Sequence, residues 1–146
     1  MLAERDMAFR CRVFDKLKNS IDEKTAQGFF LDGPGYQVAM DAWLPFVEGA
    51  AQFALFFTIL EKNYYGAKYK IENAFEDEAE IHCKPLIELD VLKRAYFYPK
   101  MTIEEYKQFY TSIMKSRAKA CGLDIIINFD DINCVIKLKK KEKNNK

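Results

Sequence analysis

The chain has 146 residues, 49% of them hydrophobic, which is enough for one self-sufficient core and rules out a disordered polymer. Lys and Arg number 23 against 22 Asp and Glu, so the fold as a whole carries no electrostatic footprint for nucleic acid. The 4 cysteines show no C-x-x-C spacing, and the start Met1-Leu-Ala-Glu-Arg-Asp6 is charged too early for a secretory leader, which points to reduced thiols in a cytoplasm.

Leu2 to about Ala26 is predicted as a helix. Met7, Cys11, Phe14, Leu17 and Ile21 recur at spacings of three and four, while Arg5, Arg12 and Lys16 lie off that stripe. Asp32-Gly-Pro-Gly35 then reads as a turn. A second helical region runs from Tyr36 to about Tyr64 and breaks before Pro45, which cannot donate a helical hydrogen bond. From Trp43 to Leu60 this region is apolar nearly all round. Glu48 and Gln52 interrupt it, so it is expected to be a covered helix and not a membrane span. Its cover is either the rest of the fold or a second copy of the chain.

Lys68–Asn73 and Ala79–Cys83 alternate apolar with charged residues and are expected as strands, joined by an acidic connection. Leu86 to Tyr98 reads as a short helix or an extended crossover, with the helix preferred. Thr102-Ile-Glu-Glu105 is a capping box that opens the next helix, whose inner stripe is Ile103, Tyr106, Phe109, Tyr110, Ile113 and Met114. Leu123–Phe129 and Ile132–Leu138 alternate as two strands with Asp130-Asp131 as their turn. Residues 1–139 are therefore expected to form a single α+β domain, with N-terminal helices packed on a small, mostly antiparallel four-stranded sheet. Residues 140–146 read as a basic disordered tail.

Chemistry-bearing residues are few. His82 is the only histidine, and in a regular strand it points away from its neighbour Cys83, which argues against a shared ion. Cys83 and Cys134 fall on the inward faces of their strands. They read either as small core side chains or, if their strands meet, as a pair of metal ligands. The acidic run Glu72, Glu76, Asp77, Glu78 and Glu80 lacks the spacing of a calcium loop and reads as a solvated connection. No phosphate loop, nucleophile elbow or zincin motif is present. The aromatic residues point to a ligand pocket lined by Trp43, Phe46, Phe53, Phe57, Tyr106 and Phe109, with a packed aromatic core or a dimer interface as the competing reading.

The closing order of helix, strand, acidic turn and cysteine-bearing strand, with Phe129-Asp-Asp-Ile-Asn-Cys134, resembles the 4-vinyl-reductase-like small-molecule-binding domains. These share a fold with subunits of the TRAPP vesicle-tethering complex and are similar to L-2-amino-thiazoline-4-carboxylate hydrolase-like proteins. Cys83, after Ala79-Glu-Ile81, sits where such proteins often carry another cysteine. The chain has no glycine before the Asp-Asp pair and no further cysteine cluster. The resemblance covers residues 68–139 and implies a dimer-forming domain with an apolar pocket between helices and sheet.

The function expected is non-catalytic binding or sensing of an apolar small molecule by a homodimer, its aromatic helices at the interface. Nucleic acid and membrane are not expected partners. The competing classes are a thiol- or metal-dependent hydrolase or lyase using Cys83, Cys134 and His82, and a subunit of a protein assembly.

Overall fold

The computed structural model describes residues 2–31, 44–94 and 101–142. The expected turn at 32–35, Trp43 and the residues just before it, the end of the crossover at 95–98 and the last residues of the tail lie outside that range.

Helix α1 (Leu2–Ser20) and helix α2 (Glu23–Leu31) replace the single N-terminal helix expected from the sequence. Asp22 divides them. Its carboxylate accepts from the Thr25 backbone N–H at 2.7 Å and the Thr25 hydroxyl at 2.8 Å, starting a new helix. Leu44–Phe46 forms a single 3₁₀ turn around Pro45, and helix α3 (Ala50–Tyr65) begins only after it. The break expected before Pro45 therefore extends several residues further along the chain. Gly66 ends α3 at φ 69, a left-handed conformation that turns the chain so that the Ala67 N–H reaches back to Glu61 O at 3.3 Å.

Strands β1 (Lys70–Ala74) and β2 (Glu78–Cys83) form a hairpin. Helix α4 (Ile87–Arg94) follows, as the sequence preferred. Helix α5 (Ile103–Ala120) starts at the expected capping box: Glu105 N–H donates to Thr102 Oγ1 at 3.1 Å, and Thr102 N–H donates to Glu105 Oε2 at 2.7 Å. Strands β3 (Leu123–Asp130) and β4 (Asn133–Lys140) close the fold. Their turn is Asp131-Ile132, one residue later than expected, because Asp130 pairs with Asn133 and Asp131 takes the left-handed φ of 50. β4 runs one residue into the expected tail.

The sheet is antiparallel throughout, in the order β1-β2-β4-β3. This is the expected α+β architecture. Its inner face carries Ala79, Ile81 and Cys83 from β2, Leu123 and Ile125 from β3, and Cys134, Ile136 and Leu138 from β4, all buried. Helix α3 packs on the β1–β2 half of the sheet and α5 on β3, while α1 lies against α3 and α4, and α2 against α5. No helix among the described residues is long and apolar enough to cross a membrane.

Candidate functional site

The core of this fold is not purely apolar. Among the described residues, three charged side chains are buried within it: Glu61, Glu88 and Arg117. Each occupies a stripe position that its helix would normally fill with an apolar residue. Glu61 follows Phe53 and Phe57 on α3, and Arg117 follows Tyr110, Ile113 and Met114 on α5. Glu88 lies in the first turn of α4 beside Leu89, where a carboxylate suits the positive end of the helix.

These groups lie close enough to feel one another's charge. Burial raises the Glu61 carboxyl well above its ordinary value, and the neighbouring Glu88 carboxylate raises it further, while Arg10 and Arg117 pull it down. Burial likewise raises Glu88, opposed chiefly by Arg10. Arg10 reaches in from α1, paired with Asp6 at 2.5 Å and with its guanidinium 5.9 Å from the centre of the Tyr65 ring. The Tyr65 hydroxyl donates to Asp6 and accepts from Arg10.

Two tyrosines complete the cluster. Tyr69 stacks on Phe57 with ring centres 5.9 Å apart, and its hydroxyl accepts from the Ile87 N–H at 3.1 Å. Tyr110 is buried against Phe129, and its phenol is raised by burial and then by the Glu88 charge. Both oxygens of Glu88, one oxygen of Glu61 and the Tyr110 hydroxyl have no hydrogen-bond partner among the described residues. Buried polar atoms in folded proteins are nearly always paired with protein or ordered water, which sets this cluster apart from the apolar core around it.

Cys83 and Cys134 stand directly opposite each other on β2 and β4, both facing this cluster's side of the sheet and both buried. A hydrogen bond to Cys134 and burial hold the Cys83 thiol far above its ordinary value, with Glu88 and Glu61 adding to the effect. That is the reverse of what a thiolate nucleophile needs. His82 points to the outer face, its Nε2 2.5 Å from Glu80 Oε1, as strand alternation requires. No group of three or more His, Cys, Asp or Glu suited to a metal ion occurs among the described residues.

The aromatic residues expected to line a pocket separate into three positions. Phe53 and Phe57 are buried under α3, and Tyr106 and Phe109 are buried under α5, where Phe109 also meets Phe14 edge-on at 5.5 Å. Phe46 projects from the 3₁₀ turn and is 70% exposed. Trp43 lies outside the described residues. Helix α3, expected to be covered nearly all round, leaves Leu55, Phe56 and Ile59 partly in the open, because the sheet covers only one of its sides.

Neither Glu61 nor Glu88 belongs to a recognisable motif in the sequence. The available signal was a charge in register with an apolar stripe. Compared with known proteins, the chain matches no family model and no curated protein.

Proposed function

We propose that this chain is a small-molecule-binding domain without catalytic activity, related to the 4-vinyl-reductase-like domains. Its ligand would sit between the helices and the inner face of the sheet. The observation that carries this reading is the buried Glu88 carboxyl, without a hydrogen-bond partner among the described residues and close enough for its charge to act on Tyr69 and Tyr110. Small-molecule sites combine apolar walls with a few convergent polar groups, and this core has that composition. A buried, protonated Glu88 carboxyl donates through its O–H and accepts at its carbonyl oxygen, so the ligand class is an apolar body bearing an amide-like group that offers an N–H beside a carbonyl. The order of α5, β3, acidic turn and cysteine-bearing β4 supports the kinship. All four cysteines are free thiols, which suits a reducing compartment such as the cytoplasm. The reading includes a homodimer.

The test is a thermal-shift screen of hydrophobic compounds, matched in pairs with and without an amide group. Amide-bearing compounds should raise the melting temperature of the wild-type chain saturably, and Glu88→Leu should weaken that response. If no compound of either kind shifts the melting temperature, the reading fails.

A further inference from the structure

The two edges of the sheet are built differently. β1 is five residues long, breaks register between Ile71 and Asn73, and presents the charged Lys70 and Glu72. Short, irregular, charged edges resist pairing with other strands. β3 runs eight residues in unbroken register with β4, and at the middle of its outer face Ile126 is 61% exposed.

The two-residue turn makes Asp130 and Asn133 the closing hydrogen-bonded pair of the hairpin. By alternation, the N–H and C=O groups of Leu123, Ile125, Ile127 and Phe129 then point away from β4, towards the open edge. Among the described residues, no other backbone segment bonds to them.

We infer that β3 pairs antiparallel with β3 of a second copy, about a two-fold axis at Ile126, joining two sheets into one. In that register Ile125 faces Ile127 of the partner subunit and Leu123 faces Phe129 of the partner subunit. All four are edge-facing residues, so their backbone groups meet in hydrogen-bonded pairs. On the outer face, Ile126 meets its own counterpart and Asp124 faces Asn128 of the partner subunit. No like charges oppose each other.

Neighbouring registers are worse. Placing Ile127 on the axis sets Asp124 against Asp130 of the partner subunit, and placing Ile125 there sets Asp124 against an isoleucine. A slip by one residue would oppose inward to outward side chains. The strand is its own complement, which selects a second copy over a foreign strand. Ile127 and Phe129, only partly buried in one chain, gain apolar cover from it. The inference rests on the homodimer part of the proposed function and puts the interface at the sheet edge instead of the aromatic helix.

Sedimentation equilibrium of the full chain over a concentration series tests it. A reversible monomer–dimer equilibrium is expected. Ile126→Lys or Asn128→Asp should weaken it about tenfold or more, while Asn128→Lys, which sets a cation opposite Asp124 of the partner subunit, should strengthen it. The amides of Ile125, Ile127 and Phe129 should gain exchange protection as concentration rises. A chain that stays monomeric throughout overturns both the homodimer and this interface. A dimer that ignores Ile126→Lys but dissociates with Leu55→Lys on α3 keeps the homodimer and overturns the edge pairing. Ligand-induced melting shifts are read on their own, so either failure leaves the ligand reading standing.

Discussion

Glu88 is buried with both carboxylate oxygens lacking a partner among the described residues, and Glu61 close by adds a second carboxylate to the same interior. Burying a charge without a partner is costly, so the folded chain favours the protonated acid. Both carboxyls are therefore raised in the fold, chiefly by burial. Above the ordinary carboxylate range the unfolded chain has released these protons while the folded chain still holds them. Stability then falls as pH rises from that range towards the raised folded values. Glu88→Gln removes the ionisation. Its urea stability should match wild type near pH 4 and exceed it by a margin that grows towards pH 8, on the order of 1 kcal/mol or more. An unchanged pH slope in Glu88→Gln would show that the side chain is solvated in the native state. The stripe positions of Glu61, Glu88 and Arg117 were legible in the sequence, since each keeps helical register with apolar neighbours. Their convergence was not, because it depends on how four helices and two strands meet.

Helix α3 shows how an element is fixed by what it docks against. Its first backbone donors are taken up by the β1–β2 turn: Ala50 N–H reaches Glu76 O at 2.9 Å and Ala51 N–H reaches Phe75 O at 3.0 Å. That leaves fewer of the orphan groups found at every helix start. The dock is close enough that a Cβ on Gly49 would lie 2.6 Å from Glu76 O, a backbone atom that cannot swing aside. Gly49→Ala should therefore separate helix from turn and cost about 1–3 kcal/mol, read as a lower urea midpoint. Gly28→Ala is the matched control. Nothing lies within 4 Å of its added Cβ inside α2, so it should stabilise by up to about 1 kcal/mol. The same contrast explains which boundaries the sequence revealed. The start of α5 was legible because Thr102 and Glu105 cap it locally. The start of α3 was not, because Gly49 is chosen for a turn far away in sequence. Likewise Asp22 sits within a continuous apolar pattern, and only its bonds to Thr25 reveal that one helix becomes two.

At the scale of the whole molecule, a single sheet carries helices on its inner face, and the four thiols sample different depths of that arrangement. Cys11 on α1, Cys83 on β2 and Cys134 on β4 are each at most 2% exposed, whereas Cys121, at the end of α5, is partly open to solvent. Burial pushes the Cys11 thiol up to about 11, and the hydrogen bond to Cys134, with burial, holds Cys83 higher still. Alternation in the sequence had already put Cys83 and Cys134 on one face, but their direct opposition follows from β4 inserting between β2 and β3, an order that local patterning does not encode. A thiol that reacts only when exposed reports the opening of its surroundings. In native buffer, a disulfide thiol reagent should label Cys121 quickly. Cys11, Cys83 and Cys134 should follow together at a much slower rate that tracks global unfolding in urea. All four should react at once in denaturant. If Cys83 or Cys134 reacted as fast as Cys121 in native buffer, the central strands would open independently of the fold. The case against thiol chemistry at this pair, which stands on enclosure and a protonated Cys83, would then be lost.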